Sequence, residues 1–175
     1  MKLTYVFRRL SQYITNEMIS QVYYGFVYPH IIYGIEVFGN ACTSSIKKLQ
    51  VVQNKLLKTL SGKSYRYSSR VLHNELKLLM VTDIYKLQLS LFVFKQRNRL
   101  LPQVFHNYYQ TNGEVGLRSI RQENNLFVQF VKTTTGCKST SITGAKIWNA
   151  IPRDIKSANS LGQFKKLHRQ YLLSN

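Results

Sequence analysis

TSSIKKLQVVQNKLLKTLSG, residues 43 to 62, is the stretch whose reading decides the fold. Thr43, Ser44 and Ser45 offer N-cap side chains at its start, and Gly62 supplies a stop. At about 100° per residue, Ile46, Leu49, Gln53, Leu56, Leu57 and Leu60 fall on one stripe. Lys47, Lys48, Lys55 and Lys58 fall on the opposite side. The spacing predicts an amphipathic helix over 43–61, with one face for a core and an outer face that carries only positive charge.

The charge continues past the stop. Between Lys47 and Arg70 stand seven basic residues and no acid: Lys47, Lys48, Lys55, Lys58, Lys63, Arg66 and Arg70. Upstream, Thr15 to Tyr28 reads as a helix with Asn16 as a candidate cap, and Pro29 is expected to break or kink it. His30 to Phe38 continues as a short apolar element, interrupted by Gly34 and Gly39. Downstream, a short helix is predicted over Ser69 to Leu76, and a longer one from Thr82 or Asp83 to about Asn98. On the longer helix Ile84, Leu87, Leu89, Leu91, Phe92, Val93 and Phe94 point nearly all round, which places it centrally in a core.

Leu101-Pro102 closes this helical part. Residues 103 to 140 are rich in Asn, Gln, Thr and Gly and less regular. LFVQFVK, 126 to 132, has the Phe and Val content of a short strand, and Thr133 to Gly136 reads as a loop. A last helix follows Ser160, whose pairing with Gln163 three residues on is a capping-box pattern. Phe164, Leu167, Tyr171 and Leu172 give its inner face, and Lys165, Lys166 and Arg169 its outer one.

The whole chain of 175 residues holds 25 Lys and Arg against 7 Asp and Glu, a net charge of +18. Charged residues are only 18% of it, so the imbalance comes from missing acids rather than surplus bases. With 44% hydrophobic and 13% aromatic residues, a disordered basic tail is excluded. A chain of this length buries roughly 70% of its unfolded surface. Cys42 and Cys137 form neither a CxxC nor a zinc-ligand pattern, which points to structural thiols in a reducing compartment. The apolar run Val22 to Phe38 is interrupted by Pro29, His30 and Glu36 and falls short of the ~20 residues of a membrane helix. No secretory h-region follows the first basic residue of MKLTYVFRRLSQY. The expected location is intracellular, nuclear or cytoplasmic, away from membrane.

No catalytic or metal-binding set stands out. Two-metal chemistry needs converging carboxylates. The acids are Glu17, Glu36, Glu75, Asp83, Glu114, Glu123 and Asp154, with no DxD or ExxE spacing among them. His30, His73, His106 and His168 are scattered. There is no GxxxxGK[ST] or GxGxxG phosphate loop. What remains is charge with aromatics, and a polyanion is the expected partner, nucleic acid before membrane.

Several segments, in chain order, then carry a resemblance. YYGFVYPHIIYGIEVFG, 23 to 39, resembles the Y-x-x-x-I-x-P-H-x-x-Y-G-x-x-x-W-G signature of non-LTR retrotransposon reverse transcriptases, matched at Pro29, His30, Tyr33, Gly34 and Gly39, with Phe38 in place of Trp. LQVVQNKLLKTLSG, 49 to 62, resembles the next segment, with Gln53 and Lys58 in the matching places. ELKLLMVTDIYKLQLSLFVFK, 75 to 95, then NRLLP, 98 to 102, and the arginines of LRSIRQ, 117 to 122, follow. GAKIWNAIPRDIKSANSLGQFKKLHRQYLL, 144 to 173, resembles the family ending through Gly144, Trp148, Asn149, Pro152, Ser160, Phe164, Lys165 and Leu172.

The resemblance is to jockey-like, LINE-type elements and covers nearly the whole chain. It implies RNA-directed DNA polymerisation as the parent activity, with Mg²⁺ as the parent's cofactor. It also implies that these residues are the thumb and post-thumb region, since the [FY]-x-D-D aspartates of the palm do not occur here. The palm and fingers of the polymerase would be protein partners.

The expected architecture is mainly α: a helical thumb-like bundle over 1–102, then a smaller loop-rich α/β part over 103–175. The expected function is a grip on the backbone of an RNA–DNA hybrid or duplex by Lys47, Lys48, Lys55, Lys58, Lys63, Arg66 and Arg70. No catalytic residue, metal ligand or cofactor is expected within the chain. Trp148, between a glycine-initiated turn and Pro152, is expected to be a buried anchor for the C-terminal part. The rival readings are a stand-alone RNA- or DNA-binding module and a non-catalytic interaction domain whose basic face serves solubility.

Overall fold

The protein is described here from a computed structural model covering residues 2–40, 43–116 and 123–174. Cys42 and the LRSIRQ arginines lie outside the described residues. The helices are α1 (Lys2–Leu10), α2 (Asn16–Val22), α3 (Tyr28–Ile32), α4 (Ile35–Phe38), α5 (Thr43–Leu60), α6 (Ser69–Glu75) and α7 (Val81–Arg97). After a 3₁₀ turn at Gln103–Phe105 come α8 (Thr134–Cys137), α9 (Thr140–Ala150), α10 (Arg153–Lys156) and α11 (Leu161–Ser174). The fold is mainly α, as expected.

The chain divides into two compact units, Met1–Tyr85 with Leu172–Asn175, and Lys86–Tyr171. In the first, α1 and α6 both pack on α5. Phe7 of α1 and Leu56, Leu57 and Leu60 of α5 are buried there with Ile19, Tyr23, Val27, Ile31 and Ile35. Each fully buried Leu or Ile contributes about 1.5–3 kcal/mol.

Pro29 does not break its helix. A π turn, Tyr23–Val27, joins α2 to α3, and the Tyr28 N–H bonds to Tyr23 O. Proline lacks an N–H and its ring collides with the carbonyl four residues back, and the wider π turn makes room for it. The helix starts at Asn16, so Thr15 takes the cap position. Gly34 then turns the chain into α4 with a φ of +67°, a conformation that favours glycine. Gly39 lies against Tyr85, and a Cβ there would collide with that ring.

Helix α5 ends as a Schellman motif: Lys63 N–H bonds to Lys58 O at 3.0 Å, Gly62 N–H to Thr59 O at 3.4 Å, and Gly62 has a φ of +61°. The same motif ends α6 and α7, with Lys77 (φ 51°) and Arg99 (φ 55°) in the left-handed position. Leu78 N–H bonds there to His73 O at 2.9 Å, and Leu100 N–H to Lys95 O at 2.8 Å.

A buried amide network ties α5 to the segments around it. Gln53, 1% exposed, sits on the apolar stripe. Its Nε2 donates to Tyr23 Oη at 2.7 Å and to Leu79 O at 3.0 Å, and its Oε1 accepts from Gln50 Nε2 at 2.8 Å. Gln50 Oε1 accepts the Val81 N–H at 2.8 Å, so α5 caps the first turn of α7. Asn54 Oδ1 accepts from Gln50 Nε2 at 2.8 Å and lies 3.0 Å from Nε2 of the buried His73.

The second unit is organised by aromatic rings. Phe94 of α7 stacks on Phe164 of α11 with centroids 4.6 Å apart, and Trp148 of α9 lies 5.6 Å from Phe164. Gly144 lets the Tyr109 hydroxyl approach α9, where it donates to Thr140 O at 2.9 Å. Trp148 is 6% exposed, so the expected burial holds. The capping box is present in altered form. Gln163 N–H bonds to Ser160 Oγ at 3.2 Å, while Gln163 Oε1 accepts from Asn159 N–H at 3.1 Å.

The expected α/β character of the C-terminal part is not found: the described residues contain no strand. LFVQFVK makes a single bridge, Leu126 to Thr111, and Phe130 is 84% exposed. The Asn149 side chain takes the place of a neighbouring strand. Its Nδ2 donates to Leu126 O and its Oδ1 accepts from Leu126 N–H, each at 2.9 Å. The expected loop at 133–136 is instead one helical turn, α8, capped by Thr133 Oγ accepting from Gly136 N–H at 3.1 Å. Cys137 at its end is a free, exposed thiol whose Sγ donates to Val131 O at 3.5 Å.

Two predictions follow from this packing. Trp148→Ala removes a buried indole from the Phe164 cluster and is expected to cost about 3–5 kcal/mol in urea unfolding, with blue-shifted native Trp emission in the parent. An unchanged midpoint, or solvent-exposed emission, contradicts this.

The second concerns His168, which is 2% exposed with Nδ1 2.7 Å from Ser90 Oγ. Burial, and then repulsion from Lys86, pushes its imidazole down to about 4. The unfolded histidine titrates near 6.5, so between these values the unfolded chain binds the extra proton. The stabilising effect is complete above pH about 6.5 and fades as pH falls toward 4, a loss of about 3 kcal/mol. Unfolding curves at pH 7 and 4.5 should show a smaller drop for His168→Gln than for the parent, and equal drops contradict the assignment.

Candidate nucleic-acid interface

The buried stripe on α5 orients its opposite face. With Gln53, Leu56, Leu57 and Leu60 inside, the helical spacing puts Lys47, Lys48, Lys55 and Lys58 outside. Lys47, Lys48 and Lys55 are exposed and Lys58 is half-buried. Val51, 63% exposed, falls between Lys47 and Lys55 on the same side. From Lys47 to Lys58 the helix rises about 16 Å, the length of about five base-pair steps of a duplex.

The Schellman turn at Gly62 delivers the chain into a basic loop. Lys63, Arg66 and Arg70 are all exposed. Lys58 is the link between helix and loop. Its Nζ donates to Tyr65 O at 2.8 Å and lies 5.5 Å from the centroid of the Tyr65 ring. Lys63 Nζ stands 4.8 Å from the Tyr67 centroid. Tyr67 Oη donates to Glu75 Oε1 at 2.5 Å, and this bond holds the phenol proton and raises the pKa of Tyr67. Glu75, the next acid after this basic run, is thereby engaged by a tyrosine rather than by one of the seven cations.

Six of the seven predicted cations are thus exposed side chains of one unit, and Lys58 serves the loop's shape as well as the charge. Sequence reading passed over Tyr65, which is 91% exposed, and over Arg8 and Arg9, which are exposed on α1 beside α5. The alternation K-S-Y-R-Y over 63–67 was the signal for the tyrosine. Within the resemblance motif, Pro29, His30 and Tyr33 are exposed. Among the described residues, no group of three His, Cys, Asp or Glu could hold a metal ion. Nor is any described helix long and apolar enough to cross a membrane.

Comparison with known proteins gives one match to part of the chain. Over 62 residues, 35% of this chain, the sequence is 36% identical to the probable RNA-directed DNA polymerase from transposon X-element of Drosophila melanogaster. The match covers 7% of that protein. No protein-family profile and no solved structure matches the chain. The chain resembles a non-LTR retrotransposon reverse transcriptase, of which it corresponds to a small part.

Proposed function

We propose that this chain is the thumb and post-thumb part of a jockey-like retroelement RNA-directed DNA polymerase, and that it grips the primer–template backbone. The observation that carries the reading is the acid-free outer face of α5, which continues into Lys63 and Arg66 of the following loop and Arg70 in the first turn of α6. Lysine ammonium groups act on phosphates as mobile point charges and release counterions, so they give affinity without base readout. An RNA–DNA hybrid is the ligand that fits both this face and the activity in the relative's name. Lys165, Lys166 and Arg169 of α11 are the competing cationic set. Metal-assisted chemistry belongs in this reading to the palm of the parent polymerase, where Mg²⁺ would act.

Binding of the full chain to a hybrid of mixed sequence should weaken with salt. If about four cations neutralise phosphates, log K falls against log salt with a slope of roughly −3.6. Lys47→Glu with Lys55→Glu reverses two exposed charges and leaves the Lys58 bond to the loop in place. This double variant should bind all sequences more weakly and show a shallower slope. Salt-independent affinity, or a double variant that binds like the parent, contradicts the reading.

A further inference from the structure

The basic loop displays one ring that packing does not use. Tyr65 is 91% exposed, whereas Tyr67, two residues on, is half-buried and held by Glu75. The backbone beneath Tyr65 is fixed in two ways. Gly62 sets the turn out of α5, and Lys58 Nζ donates to the Tyr65 carbonyl at 2.8 Å. The aromatic face therefore stands on an anchored main chain, with Lys58 within 5.5 Å of its centroid and Arg66 next in sequence.

An exposed aromatic ring among cations on a fixed loop has the composition of a base-stacking platform. Stacking is sequence-tolerant because every base offers a π face, and the flanking cations hold the adjoining phosphates. The bases of a continuous duplex already stack on one another, so a side chain finds a free base face only at a duplex end or on an unpaired nucleotide. Tyr65 lies five residues beyond the end of α5, and Lys58, the last lysine of that face, is bonded to its carbonyl. A duplex lying along those lysines would reach the ring where its paired region stops.

We propose that Tyr65 stacks on an unpaired nucleotide at the end of the duplex held by α5, so that the site prefers a junction of single and double strand over continuous duplex. This assignment rests on the reading of α5 as the duplex-gripping face. The lysines supply the sequence-independent grip, and the tyrosine adds a register, because free base faces occur at the junction and not along the paired region.

The test uses the full chain with two RNA–DNA hybrids, one blunt and one carrying a short single-stranded overhang with 2-aminopurine as its first unpaired base. The parent should bind the overhang hybrid more tightly and change the 2-aminopurine emission on binding. Tyr65→Ala should lose about ten-fold in affinity for the overhang hybrid, lose less for the blunt one, whose terminal pair also offers a base face, and leave the emission unchanged. Tyr65→Phe should behave as the parent, since it keeps the ring and loses only the hydroxyl. The side chain is exposed and the Lys58 bond is to the backbone, so all three proteins should fold alike. Equal binding of the overhang hybrid by parent and Tyr65→Ala, with salt-dependent binding of the blunt hybrid intact, overturns the stacking role and leaves the α5 reading standing. Absence of binding to either hybrid at low salt overturns both.

Discussion

The Gln53 side chain is the constraint on which the first unit depends. A buried carboxamide is tolerated only when its donors and acceptor are matched, because an unsatisfied buried polar group costs about 1–3 kcal/mol. Here the matches are Tyr23 Oη, Leu79 O and Gln50 Nε2. They come from the π turn, from the segment between α6 and α7, and from α5 itself. Through Gln50 the same network reaches the N-terminus of α7, and through Asn54 it reaches His73 of α6. Apolar contacts alone would tolerate small rotations of α5. A set of hydrogen bonds at 2.7–3.0 Å fixes its rotation about its own axis.

That rotation matters for the proposed function because α5 carries the cationic face assigned to it. Fixing Gln53 inward fixes Lys47, Lys48 and Lys55 outward. Gln53 and Lys58 are also two of the residues by which this segment resembles the retroelement family, and they do opposite jobs. Gln53 is buried and sets the orientation of the helix. Lys58 reaches past the end of α5 to hold the loop that carries Tyr65. The net charge of +18 opposes compaction by self-repulsion, a cost that a polyanionic ligand on this face would relieve.

Much of this was legible in the sequence. The period of α5, its glycine stop, the apolar circumference of α7 and the Ser160 cap are local signals, and each corresponds to an observed feature. The misses were tertiary. Nothing in LFVQFVK indicates that its pairing stops at one bridge, with an asparagine more than twenty residues on bonded to the other edge of Leu126. Pro29 reads as a breaker unless a π turn is foreseen. Lys77 and Arg99 take left-handed positions where glycine would have announced the helix end. At the candidate interface the cations were readable one by one. The exposure of Tyr65, and the bond by which Lys58 anchors it, needed the fold.

The most direct measurement is lysine-reactive footprinting of the full chain, with and without an RNA–DNA hybrid, read by mass spectrometry at each residue. If the outer face of α5 is the interface, Lys47, Lys48, Lys55 and Lys63 lose reactivity when the hybrid is added, and Lys165 and Lys166 keep theirs. Protection confined to Lys165 and Lys166, with the α5 lysines as reactive as in the free protein, would contradict the account.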